Sequence, residues 1–143
     1  MILTEKEIFI QQSPEKVFSY LYDLNTMPNY NASVKSVKAL DSSGATLPQY
    51  EIEINFGFFS LKEKYSITEV KANEYFTAQL KHTGLQFEDR YEIIAKDSGT
   101  LLKVKDIMEL KGLLVFSEPL VKGNLSSQMW ENMLRLKSNL EST

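Results

Sequence analysis

Apolar and polar positions alternate through most of this chain, and the alternation is framed by two segments of helical period. Residues 2 to 11 read as a strand, with Ile8 and Ile10 on one face. Ser13-Pro14-Glu15 then opens a helix, because serine is a good N-cap and proline suits the first helical position. Val17, Phe18 and Leu21 follow at helical spacing, and a second short helical turn is expected over Asn25 to Tyr30. From Val34 to Leu110 the period is two, broken by short turn signals, which predicts a meander of strands. From Ser117 the helical period returns. Val121, Leu125, Met129, Met133, Leu136 and Leu140 form one stripe, and Glu118, Lys122, Glu131, Arg135 and Glu141 lie mostly off it.

Strand faces impose parity, so the turns can be tested by arithmetic. A two-residue turn at Gly57-Phe58 pairs Phe56 with Phe59. It turns Tyr50, Ile52, Ile54 and Phe56 to the same side as Leu61, Tyr65 and Ile67. The same register sets Glu51 opposite Lys64 and Glu53 opposite Lys62 outside, two favourable cross-strand pairs. A turn at Ala72-Asn73 pairs Tyr65 with Leu80 and Glu63 with His82. A turn at Thr83-Gly84 pairs Leu80 with Phe87, Ala78 with Asp89 and Phe76 with Tyr91. A turn at Ser98-Gly99 pairs Ile93 with Val104 and Tyr91 with Asp106, with Glu92 opposite Lys105. The product is a continuous antiparallel sheet with one apolar concave face, and a one-residue slip would expose that face.

Length and composition narrow the setting. The 143 residues suit a single domain spanning 1–143, large enough to bury roughly 68% of its unfolded surface without staples. The absence of cysteine excludes disulfides, thiolate metal sites and a cysteine nucleophile, and makes an intracellular, cytoplasmic protein the simpler expectation. The first residues lack the basic and apolar regions of a signal peptide, and no stretch approaches the ~20 apolar residues of a membrane span. Net charge is −3 with both signs interspersed, which argues against nucleic acid as a partner. No phosphate-cradling glycine loop or dinucleotide fingerprint is present, and carboxylate spacing suits no metal, so neither cofactor nor metal is expected.

The order of these motifs resembles the START-related lipid-transfer and polyketide cyclase superfamily, whose helix-grip fold is shared by plant pollen allergens. The carriers are the opening strand with Ser13-Pro14-Glu15-Lys16-Val17-Phe18, then Met27-Pro28-Asn29-Tyr30. Leu110-Lys111-Gly112-Leu113-Leu114, Glu118-Pro119-Leu120 and the closing segment from Leu134 to Glu141 follow. Tyr30 departs from the pattern, since many members carry tryptophan there. The resemblance implies an α+β fold: a seven-stranded curved antiparallel sheet wrapped around a long C-terminal helix, with two short helices between strands 1 and 2. It also implies a cavity between sheet and helix. Members bind lipids, steroids, quinones or polyketides, and some are cyclases, dehydratases or co-chaperones. The matching motifs are structural, so no catalytic residue carries over.

Candidate chemistry comes from polar groups on the inward face: Glu63, His82, Asp89, Tyr91 and Asp106. An ionised carboxylate is costly to bury unless paired or hydrated. Either the interior is wet, or these groups pair, or some sit at strand ends and reach solvent. Glu63 opposite His82 makes either an acid–base pair or a salt bridge at the rim. Tyr91 opposite Asp106, with Asp89 diagonal, makes either a proton-sharing acid–base set or an anchor for a ligand hydroxyl or a water. The apolar lining is expected from Tyr50, Ile52, Ile54, Tyr65 and Phe76 on the first strands. Leu80, Phe87, Val104 and Met108 continue it, and Met129 and Met133 close it from the last helix. Gly123 either permits a bend at a portal or is a neutral surface glycine. Trp130 lies off the stripe, packed on the sheet edge or in an interface.

Three functions compete. The first is binding or transport of a small hydrophobic or amphipathic ligand, which requires a cavity of at least a few hundred Å³. The second is a cyclase or dehydratase using Asp89, Asp106 or His82. The third is an interaction module such as a co-chaperone, or a homodimer with a filled interior, which requires a large exposed apolar patch.

Overall fold

The computed structural model describes residues 1–41, 44, 47–57 and 60–143. Its seven antiparallel strands form one sheet in the order β1-β7-β6-β5-β4-β3-β2. They are β1 (Ile2–Ile10), β2 (Val34–Ala39), β3 (Gln49–Asn55), β4 (Ser60–Lys71), β5 (Tyr75–His82), β6 (Leu85–Lys96) and β7 (Gly99–Leu110). Between β1 and β2 lie helix α1 (Pro14–Tyr22) and a 3-10 helix at Leu24–Asn29. After β7, a 3-10 helix at Gly112–Ser117 leads into α2 (Glu118–Glu141).

Each helix forms for a local reason. The Ser13 side chain accepts the Lys16 backbone N–H at 3.2 Å, with Pro14 beginning α1, and Val17, Phe18 and Leu21 are buried. Asp23 closes α1 and caps the following 3-10 helix by accepting from the Asn25 N–H. The α2 stripe buries Val121, Met129, Met133, Leu136 and Leu140, with Leu125 partly covered. The C-terminal half of α2 is tied down by polar contacts. Gln12 Nε2 donates to the Leu140 carbonyl at 2.8 Å, Asn139 Nδ2 to the Asn29 carbonyl at 3.0 Å, and Arg135 to the Tyr30 carbonyl at 3.2 Å.

The β3–β4 register sets Tyr50 opposite Tyr65, Glu51 opposite Lys64 and Glu53 opposite Lys62, as the parity argument requires. Of the turn expected there, Phe58 and Phe59 lie outside the described residues. The β5–β6 register pairs Phe76 with Tyr91, Ala78 with Asp89, Leu80 with Phe87 and His82 with Leu85, around the expected Thr83-Gly84 turn.

Two expectations are corrected. The β4–β5 turn spans three residues, with Asn73 in the left-handed region at φ 64° and Lys71 opposite Tyr75. A bulge between Ile67 and Glu69 takes up the odd residue. It turns Val70 rather than Glu69 and Lys71 toward the core, and restores Ile67–Ala78 and Tyr65–Leu80 beyond. The β6–β7 turn is Asp97-Ser98, not Ser98-Gly99, because Lys96 pairs with Gly99. Asp97 takes the positive φ, 53°, and Gly99 lies inside the strand. A Cβ at Gly99 would sit 2.5 Å from the Ile10 carbonyl oxygen, so this glycine serves the close approach of β1. Asp106 therefore faces Asp89, Tyr91 faces Val104, and Glu92 faces Lys103.

Candidate functional site

The corrected register brings two carboxyls together on the concave floor. Asp89 on β6 and Asp106 on β7 are direct cross-strand partners, and their side chains are hydrogen-bonded. Asp89 is buried at 6% exposure; Asp106 borders the cavity and keeps part of its surface accessible. From β4, the Tyr65 hydroxyl reaches diagonally and donates to Asp89 Oδ2. Burial pushes both carboxyls above the ordinary range. For Asp106 the neighbouring Asp89 charge adds to this, and its carboxyl is held well up. For Asp89 the hydrogen bonds from Asp106 and Tyr65 oppose the rise. Two carboxyls this close hold a proton between them more readily than either would alone, and Asp89 also accepts from Tyr65.

Two phenols complete the polar floor. Tyr91 is buried beside Phe76, ring stacked on ring at 4.7 Å. Tyr30, which ends the first 3-10 helix, is 4% exposed, and its hydroxyl lies beside that of Tyr91 without a well-aligned hydrogen bond. Burial raises both phenols, and the nearby Asp89 charge adds to it, so both are neutral donors. These groups face a cavity of about 100 Å³ between the sheet and α2. Ile52, Ile54, Val104, Met108, Met129 and Met133 supply apolar walls, and Ser33, Gln128 and Asn132 supply polar ones. The Gln128 amide donates to the Ser33 hydroxyl, linking α2 to the segment before β2.

Neither sequence comparison finds a counterpart: no family model matches the chain, and no curated protein does. Solved structures do match along the whole length. A START superfamily protein of Mycobacterium smegmatis is 19% identical, with 98% of this chain and 97% of that one covered, at a TM-score of 0.80. A protein of Thermus thermophilus is 13% identical, with 96% of each chain covered, also at 0.80. An aromatase/cyclase of a Streptomyces species is 9% identical, with 97% and 93% covered, at 0.76. This chain has the helix-grip fold of those structures.

Within that helix grip, the residues expected at the site divide in two. Ile52, Ile54, Phe87, Asp89, Tyr91 and Val104 all border the cavity, as do Asp106, Met108, Met129 and Met133. Tyr50, Tyr65, Phe76 and Leu80 do not border it; they are buried in packing. Phe76 is held edge-on by Phe18 and Tyr22 of α1, which covers that end of the sheet. Glu63 and His82 are not brought together. Ladder pairing of β4 with β5 begins at Tyr65–Leu80, and no ion pair joins them among the described residues. His82 Nδ1 instead accepts the Gly84 N–H at 3.3 Å, and Glu63 accepts the Lys64 N–H at 3.0 Å. His82 thus caps its own turn, outside the cavity.

Tyr30 is the site residue that strand parity could not find, because it sits on a 3-10 turn rather than a strand. Its signal is the Met27-Pro28-Asn29-Tyr30 motif itself. Gly123 has nothing within 4 Å of a built Cβ and is a plain surface glycine; Trp130 is 41% exposed on the flank of α2. Among the described residues no cluster of three or more acidic or histidine ligands could hold a metal ion, and no helix is long and apolar enough to cross a membrane.

Proposed function

We propose that this helix-grip protein binds a small, largely apolar molecule carrying one hydrogen-bonding group, enclosed between the sheet and α2. The observation that carries this is a set of polar groups on one cavity wall, the Tyr30 and Tyr91 hydroxyls beside the Asp89–Asp106 pair, with no well-aligned hydrogen bond at the Tyr30 hydroxyl. A buried hydroxyl left poorly paired costs up to about 1–3 kcal/mol, a cost that a ligand's polar atom removes. The apolar walls supply the rest of the affinity.

The cavity misses the few hundred Å³ required above for the binding reading, so that reading holds only for a ligand smaller than a lipid, steroid or polyketide. As it stands it suits a ring-sized molecule, on the scale of cavities that hold benzene; a larger ligand requires the walls to part. Native mass spectrometry of the purified protein, followed by extraction and identification of bound small molecules, tests the proposal. A stoichiometric small organic molecule is expected. An empty protein that also shows no chemical-shift response in a fragment screen at Tyr30 and Asp106 would overturn it.

A cyclase or dehydratase reading keeps one specific support, the Asp89–Asp106 pair on one cavity wall with both carboxyls raised by burial. His82 drops out of that reading, because it does not reach the cavity. The interaction reading keeps the exposed apolar side chains Leu113, Phe116 and Leu120 around the start of α2, with Phe116 84% exposed.

A further inference from the structure

We propose that the cavity selects a protonated amine: a small molecule that joins an apolar ring or short chain to an ammonium group. The inference rests on the ligand-binding reading above and adds the charge of the ligand to it.

Three observations converge. The first is a carboxyl pair on the cavity floor without a cation. Asp89 and Asp106 take part in no ion pair among the described residues. Lys6 lies on the same sheet face, opposite Val104, but makes no ion pair with either carboxyl and does not border the cavity. No lysine, arginine or histidine borders the cavity, and the six residues outside the described set are serine, alanine, threonine and phenylalanine. A carboxylate removed from water is stabilised most by an opposite charge, and here only a ligand can bring one.

The second observation is donor and acceptor number. An ammonium group presents three N–H donors and no acceptor. The site presents acceptors in the same small space: the Asp89 and Asp106 carboxyl oxygens and the lone pairs of the Tyr30 hydroxyl. A ligand hydroxyl brings a single donor to these acceptors, although unlike an ammonium it can also accept from the phenols. A ligand carboxylate would meet like charge. The third observation is the rings. Tyr30, Tyr91 and Phe87 border the same cavity, and aromatic faces add to the binding of an enclosed cation.

The test is a nuclear magnetic resonance titration of the full chain at neutral pH with three probes of similar size: benzylamine, benzyl alcohol and benzoate. Benzylamine should shift the backbone amides of Asp89, Tyr91, Asp106 and Met133, with at least tenfold tighter binding than benzyl alcohol; benzoate should not bind. The double variant Asp89→Asn, Asp106→Asn should lose the preference and retain benzyl alcohol. Should that variant fail to fold, Tyr30→Phe carries the test, with benzylamine weakened severalfold and benzyl alcohol weakened less. Benzoate binding as well as benzylamine overturns the proposal, as does an amine preference that survives removal of the carboxyls. Benzyl alcohol matching benzylamine overturns the charge selection and leaves the binding reading intact. If no probe binds, the amine proposal falls. The binding reading then falls with it only if the purified protein also carries no small molecule.

Discussion

Replacing Asp106 with asparagine isolates the carboxyl pair, because the amide keeps the shape and can still donate to Asp89. Burial and the Asp89 charge hold the Asp106 carboxyl well above its ordinary range, and burial raises Asp89 as well. A carboxyl whose folded pKa exceeds its unfolded value of about 3.9 stabilises the protein fully below that value. That stability is lost as pH rises through the folded value. One proton sets the slope: at most about 1.4 kcal/mol per pH unit between the two values. Urea unfolding of the wild type and of Asp106→Asn, from about pH 4 to 8, measures it. Glu141 tilts the other way: the Gln11 N–H and Lys137 lower it, so its contribution is lost as pH falls. It is common to both proteins and cancels in the difference. The wild-type advantage over the variant should therefore shrink as pH rises through this window. Parallel curves, or a wild type that gains on the variant with rising pH, would refute a proton held by this carboxyl pair.

Tyr65→Phe removes one of the two O–H donors to Asp89 and should cost about 1.5–3 kcal/mol in urea unfolding; a loss below about 0.5 kcal/mol would show that this hydrogen bond does not hold the carboxylate. The same variant should raise the Asp89 titration further, read from its side-chain carbon resonance, because a donor to the charged form is gone. Gly99→Ala places a methyl 2.5 Å from the Ile10 carbonyl and 2.7 Å from the Phe9 ring, and should lose about 1–3 kcal/mol by thermal melting. Gly123→Ala meets nothing within 4 Å on the exposed side of α2 and should gain about 1 kcal/mol in the same assay. Equal effects at the two glycines would refute the distinction between close approach and open surface.

Much of the fold is legible in the sequence because face parity is coarse and forgiving. Turn signals alone misplace the β6–β7 turn by one residue, which shifts the register by two; a shift of two leaves every side chain on its face. Asp106, Val104 and Met108 thus face inward on either register, while the identity of the opposing residue changes. The partner of Asp106 is lost for that reason, and with it the direct contact of two carboxyls. The error has a physical source. Conformational freedom marks glycine as a turn residue, whereas Gly99 is required by the carbonyl of β1, a residue some ninety positions away. Local propensity carries no information about such a long-range approach. Asp97 can take the left-handed position instead, as short polar side chains do.

The remaining divergence follows from the same limit. Parity says which side chains share a face but not which part of the face a helix covers. Phe76 and Leu80 share the face of Asp89, yet α1 packs over the Phe76 end and the cavity opens beyond it, under Met129 and Met133. Glu63 and His82 share it too, but the ladder stops short of them, so their faces agree and their side chains do not meet. A polar residue on the inner face becomes part of a site only where an element above it leaves space. Here that space lies over Asp89 and Asp106, and Tyr30 borders it from a segment whose period is neither strand nor α-helix. The candidate site is therefore a property of how the helices sit on the sheet, while the choice of residues able to enter it is already written in the alternation.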